Sequence, residues 1–223
     1  MPFCSKNRPA TGRRSRPAND DAQLKAGVGI LAQAGGRPVG SPGHLAARKY
    51  LSGWLESLGL KPYRGESFEL PYTSGGTQFA NLIASLPGSG SAGGALLLGA
   101  HYDTCGSTPG ADDNAAAVAI VLETARILKQ AGCKRDVVIA LFDAEEPPYF
   151  LGPAMGSVHF YHHQNTAKID CAFILDLVGH DVPMPGLENL LFITGMESHP
   201  DLAEVLMSTP ARKRPSAHRA DAQ

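Results

Sequence analysis

The residues of this chain best suited to chemistry are His101 and Asp103, Asp112 and Asp113, Glu145 and Glu146, and Asp176. The stretch "LFDAEEPPYF" (141–150) poses the problem most sharply: an apolar run from Val137 to Phe142 ends on Asp143, Glu145 and Glu146, then prolines. Carboxylates gathered in one crevice repel one another and raise each other's pKa values. Lys or Arg would be the ordinary neutraliser, yet none occurs between Gly99 and Ala125, between Val137 and Ala167, or between Ile169 and Ala211. A bound divalent cation, or a pair of them, fits better. Histidine with carboxylates and no cysteine favours zinc, with manganese or cobalt as other occupants, and several carboxylates suit a two-metal site.

Taken singly, each fragment has a plainer explanation. Asp112-Asp113-Asn114 makes a good helix N-cap cluster, Glu145-Glu146 an ordinary solvated surface, His101 a loop histidine and Asp176 a turn residue. Their joint placement is what points to chemistry. His159, His162 and His163 fall on a polar helix and are set aside, as is Cys105.

The elements that must position these residues alternate between strand and helix. A first helix is expected over about Gln23–Ala34. A second opens with Ser41 as N-cap and Pro42 at its first position, carries the stripe Leu51, Trp54, Leu55, Leu58, and stops at Gly59. Strands are expected near Lys61–Glu69, Ala80–Leu86, "ALLLGAH" ending at His101, Asp136–Phe142, "CAFILDLVG" ending at Asp176, and "NLLFIT" (189–194). Helices are expected over about Asn114–Gln130, Met155–His162 and Pro200–Met207. This alternation implies an α/β fold: three layers, with a mostly parallel, mixed central sheet and helices on both faces. In such sheets the binding site lies beyond the carboxyl ends of the strands.

At 223 residues and 43% hydrophobic, the chain can bury one substantial core. We divide it into a disordered basic tail over 1–21, an α/β domain over 22–208 and a loose basic tail over 209–223. The net charge of −1 gives no reason to expect nucleic acid or an anionic membrane. No apolar run approaches the roughly 20 residues of a membrane span. The cysteines form no CxxC pair and "MPFCSKNRPATGRRSRPAND" has no apolar segment, so the expected setting is cytoplasmic, or extracytoplasmic if the N-terminus is not the native one.

In order and spacing, "GAHYDT…GADDNAAA…LFDAEEP…ILDLVG" resembles the M28 family of zinc aminopeptidases, and "GRPVGSPG", "YLSGWLESLGL" and "NLIASLPG" extend the likeness ahead of the metal motifs. The resemblance implies two zinc ions. His101 and Asp176 would bind one, Glu146 the other, and Asp112 would bridge them, with a cis peptide between Asp112 and Asp113. Asp103 would orient the His101 imidazole, and Glu145 would act as general base toward metal-bound hydroxide attacking the bond after a peptide's amino-terminal residue.

The family's remaining ligand, a late histidine in a Ser-Asp-His-like context, has no counterpart here. His180, His199 and His218 do not stand in that context, and the composition changes beyond about Met207, as a truncated or frameshifted end would make it. Two alternatives therefore stay open beside the zinc aminopeptidase acting on peptide substrates. One is a glutaminyl-peptide cyclotransferase using one zinc; the other is an inactive fragment or degenerate binding domain.

Overall fold

A computed structural model describes residues 19–90 and 93–180, together with Pro185. The chain divides into two units after His180, and every element named here lies in the first. The strand "NLLFIT", the helix at Pro200–Met207, the C-terminal tail and the N-terminal tail up to residue 18 lie outside the described residues; residues 19–21, assigned to that tail from sequence, belong instead to the first helix.

Local chemistry sets the first elements. Helix α1 covers Asn19–Leu31 and α2 covers Pro42–Ser57. Ser41 stands extended before α2 and its hydroxyl accepts the His44 amide at 3.1 Å, while Pro42 occupies a position that needs no amide donor. Gly59, at φ 65°, ends the helix in the left-handed region. Strand β1 is only Lys61–Pro62; the chain then returns as β2 (Glu69–Ser74) and β3 (Thr77–Leu86). Gly75 and Gly76 join β2 to β3 with φ of 56° and 81°, the positive values that a two-residue hairpin requires. Of the expected strand over Lys61–Glu69, only Lys61–Pro62 and Glu69 are strand, and β2 runs from Glu69 on to Ser74, beyond the expected range. Pro71 hides β2 in the sequence, because proline in a strand interior argues against a strand unless it lies at an edge.

Strand β4 is Ala95–His101, helix α3 is Ala117–Ala131, strand β5 is Val137–Phe142, helix α4 is Gly156–His163 and strand β6 is Ile169–Ile174. An irregular turn over Ala111–Ala116 replaces the expected first turn of α3. The sheet order is β1-β3-β5-β4-β6, with β2 also paired to β3. Strands β1 and β2 follow one another along one edge of β3, and β5 takes the other; all three pairings are antiparallel. Strands β5, β4 and β6 run parallel.

Alternate side chains of the strands feed two cores. On one face Leu82, Ala84, Ile139, Leu141 and Ala100 pack with Leu51 and Leu55 of α2 and Val118 and Val121 of α3. On the other, Ile83, Leu97, Val138, Ala140 and Phe142 pack with Phe160 of α4. Each fully buried leucine or isoleucine contributes about 2 kcal/mol. The result is an α/β fold, a mixed sheet covered by helices on both faces. Because β4 and β5 are parallel with His101 opposite Phe142, their carboxyl ends meet at one edge, and β6 ends beside them two residues before Asp176.

Candidate metal centre

His101 closes β4 and is buried. Its Nε2 lies 3.0 Å from Asp113 Oδ1, 3.5 Å from Asp176 Oδ1 and 3.9 Å from Glu146 Oε1. His101, Asp113 and Glu146 each offer one ligand atom, and these atoms lie within 4.8 Å of one another. Asp176 is more open, its side chain 57% exposed.

The aspartate in this group is Asp113, where the sequence reading had Asp112. Asp113 and Asn114 have non-helical dihedrals inside the turn that precedes α3, and this aims the Asp113 carboxylate at His101. Asp112 turns the other way: its Oδ1 accepts the Gly179 amide at 2.7 Å. Asn114 donates to Leu175 O at 3.0 Å, so the two residues grip the chain on either side of Asp176. The non-proline cis peptide is likewise one step later than expected, at Asp113–Asn114.

Asp103 is buried, with Oδ1 3.4 Å from His101 Nδ1. Its two oxygens accept the backbone amides of Glu145 (3.1 Å) and Glu146 (3.0 Å), so one carboxylate fixes the turn that carries both glutamates. Ala144, at φ 57°, swings the chain off β5 immediately before them. The two side chains then part. Glu146 joins the His101 group, while Glu145 reaches the first turn of α4, where Ser157 donates its amide to Oε1 (2.6 Å) and its hydroxyl to Oε2 (2.9 Å). Ser157 went unnoticed in the sequence; its only signal there is its place at the start of a helix, where amides lack helical partners.

Helix α4 can start so close because residue 156 is glycine. A Cβ there would stand 2.3 Å from both Asn81 Oδ1 and Asp143 O. Gly156 N–H donates to that Asp143 carbonyl at 2.8 Å, and Asn81 Nδ2 donates to Gly156 O at 2.9 Å.

A basic residue does lie near, though far away in sequence. Arg37, from the loop between α1 and α2, is 1% exposed and donates to the carbonyls of Leu31, Tyr102, Pro109 and Gly110. Its amide donates to Thr104 Oγ1 at 2.7 Å. The guanidinium is spent on backbone that shapes the 102–110 loop and bonds none of the clustered carboxylates. Burial pulls its pKa down to about 10, against the opposing pull of Asp103 and Asp113.

The electrostatics are those of a site built for positive charge. Burial alone would lower the His101 imidazole, but the carboxylates of Asp103, Asp113 and Asp176 outweigh it and push the ring up to about 12. Hydrogen bonding to His101 holds Asp113 below its ordinary range. Burial and the neighbouring Asp113 push Glu146 up. Glu145 is pushed up to about 7 by burial, with the Ser157 bonds acting in the opposite direction.

These groups open into a cavity of about 490 Å³. His101, Glu145, Glu146 and Asp176 line one part of it; Phe142, Phe150, Met155 and Ile174 supply apolar wall. His180 is exposed and stands outside the His101 group, and His199 and His218 lie outside the described residues.

The chain matches the sequence pattern of Peptidase family M28 over residues 81–218. It is 33% identical over 175 residues to leupeptin-inactivating enzyme 1 of Streptomyces exfoliatus, covering 76% of this chain and 37% of that one. It therefore spans less than half the length of the curated relatives it resembles. Among solved structures, a Zn-dependent exopeptidase from Parabacteroides distasonis superposes with TM-score 0.54 at 25% identity, over 72% of this chain and 61% of that one. A glutaminyl cyclase from Fimbriiglobus ruber superposes with TM-score 0.56 at 28% identity, over 76% and 65%.

Proposed function

The chain belongs to peptidase family M28, and from that premise we propose that it hydrolyses the bond after the amino-terminal residue of peptides, with zinc held by His101, Asp113 and Glu146. The convergence of those ligand atoms within 4.8 Å, at the edge of a cavity open to substrate, carries the reading.

The residues fit such an ion. The oxygens of Asp113, Asp176 and Glu146 gather within 3.0–3.9 Å of the buried His101 Nε2, and so many carboxylates about one imidazole are costly unless a further positive charge joins them. One imidazole with carboxylate oxygens is a donor set zinc accepts, and Asp176 faces the same space as a further oxygen donor. Bound there, zinc supplies Lewis acidity toward a carbonyl and lowers the pKa of water.

The remaining chemistry belongs to the protein. Glu145, poised near neutrality by burial, takes a proton from the attacking water and passes it to the departing amine. Ser157 fixes both oxygens of that carboxylate, so the acceptor lone pairs face the cavity in one orientation. Asp103, by holding the amides of Glu145 and Glu146, sets the spacing between base and ligand. Phe142, Phe150 and Ile174 give the amino-terminal side chain an apolar seat.

One observation favours a second reading. Among the described residues there is a single group of convergent ligands, suited to one ion, and a glutaminyl cyclase shares the fold. The test is to measure zinc per chain and to assay leucyl-nitroanilide hydrolysis beside cyclisation of an amino-terminal glutamine. Glu145→Gln is expected to bind zinc like the wild type and to lose hydrolysis by 100-fold or more, on the order of what a general base contributes. Hydrolysis untouched by that change refutes the mechanism, and cyclisation without hydrolysis moves the assignment to the second reading.

A further inference from the structure

Behind the metal group, β4 and β5 are tied to α2 by a buried histidine that the mechanism leaves unused. His44 is 2% exposed and Asp143 fully buried, and His44 Nε2 lies 2.8 Å from Asp143 Oδ1. The Gly40 amide donates to His44 Nδ1 at 3.3 Å, which places the ring proton on Nε2, facing Asp143. The other Asp143 oxygen accepts the Ala80 amide at 2.8 Å, and the Asp143 amide donates to Asn81 Oδ1 at 3.0 Å. Asp143 is therefore pinned through both oxygens and its amide, two residues before Glu145.

The same imidazole bears on the neighbouring strand. Its ring stacks on Tyr102, centroids 5.1 Å apart and planes 15° from parallel. Tyr102 stands between His101 and Asp103; its amide donates to Phe142 O at 3.0 Å and its hydroxyl to Ala80 O at 2.9 Å. One side chain thus touches both strand ends that carry the site, the end with His101 and Asp103 and the end leading to Glu145 and Glu146.

We infer that His44 is a positioning residue, whose hydrogen bond to Asp143 and stack on Tyr102 set the separation between the His101 and Glu145–Glu146 strand ends. The inference rests on the metal-site reading proposed above. Partners that orient ligands are worth about 10- to 100-fold in metal affinity or activity, and His44 acts one step further out, on Tyr102 beside His101 and on Asp143 two residues before Glu145.

The test uses the full chain with three substitutions. In His44→Gln the side-chain amide delivers an N–H at the reach of Nε2; in His44→Asn it reaches only as far as Nδ1; in His44→Leu there is no donor. Zinc affinity is read by competition with a chromogenic chelator, kcat and KM on leucyl-nitroanilide, and folding by circular dichroism and Tm. His44→Asn and His44→Leu are expected to lose about 10-fold or more in zinc affinity or kcat, with KM little changed, and His44→Gln to recover most of that loss. A merely structural histidine predicts lower Tm in all three with wild-type zinc affinity and kcat per folded chain, and that result overturns the inference. So does a Gln variant no better than Asn, a comparison that decides the matter even if His44→Leu fails to fold. Zinc binding by the wild type without hydrolysis refutes the peptidase reading alone, since the affinity series still tests His44. No zinc binding at all overturns both.

Discussion

Replacing Ser157 with alanine perturbs one bond to the proposed base and leaves the rest of its cradle in place. The Ser157 amide still reaches Glu145 Oε1 at 2.6 Å, while the 2.9 Å bond from the hydroxyl to Oε2 is lost. A hydrogen bond to a charged group is worth about 1.5–3 kcal/mol, and the half-buried setting lets water replace part of it, so about 1.5 kcal/mol applies. Because the bond favours the ionised carboxylate, its loss raises the Glu145 pKa by about one unit, in the same direction as burial. A general base works ionised, so kcat/KM climbs as pH rises through this pKa. The acid limb of the profile should therefore move up by about one pH unit, with about a tenfold loss on that limb and a preserved plateau at high pH. The assay is kcat/KM for leucyl-nitroanilide from pH 5.5 to 9.5 at saturating zinc. A limb that stays where it was, or a uniform drop at every pH, refutes the assignment of Glu145 as the titrating base held by Ser157.

Other outcomes follow from the same geometry. Asp113→Ala should weaken zinc binding at least about 100-fold, while Asp112→Ala, which only frees the Gly179 amide, should weaken it by no more than about tenfold; equal losses in a chelator competition would contradict the one-residue shift. Arg37→Met removes the guanidinium from the carbonyls of Tyr102 and Pro109, while those of Leu31 and Gly110 keep the Gln33 and Ala115 amides, and should cost about 3–5 kcal/mol in urea unfolding; a change below about 1 kcal/mol would be incompatible with that network. Removing zinc by dialysis against a chelator should lower Tm, by an amount equivalent to about 2.7 kcal/mol for zinc present at 100 times its Kd. An unchanged Tm counts against a site in the folded state.

The alternation of apolar strands and helices, the Ser41–Pro42 helix start and the clustering of acidic residues at strand ends were all legible in the sequence, because each depends on neighbouring residues. The remaining features depend on contacts that spacing does not report. Which aspartate of the Asp112–Asp113 pair faces His101 is decided by the dihedrals of a turn, and the residue before it serves the Gly179 amide instead. Arg37 meets the 102–110 loop only after the sheet has formed. Ser157 meets Glu145 only because Ala144 reverses the chain and Gly156 lets the helix approach. Pro71 concealed a real strand because edge strands tolerate what central ones do not.

The Arg37 network has one more implication, for how the loop after β4 can be changed. All four acceptors of the guanidinium are main-chain oxygens, which every amino acid supplies. What the arginine recognises is a backbone path. The side chains of Cys105 and Ser107 are exposed and make no bond to Arg37, whereas the Thr108 hydroxyl donates to Cys105 O at 2.8 Å and stitches the path. Together with Thr104, Thr108 and the left-handed Gly106 and Gly110, the arginine forms a frame within which positions 105 and 107 are open to randomisation. A library at those two positions would vary the surface of this loop while its backbone path stays constant.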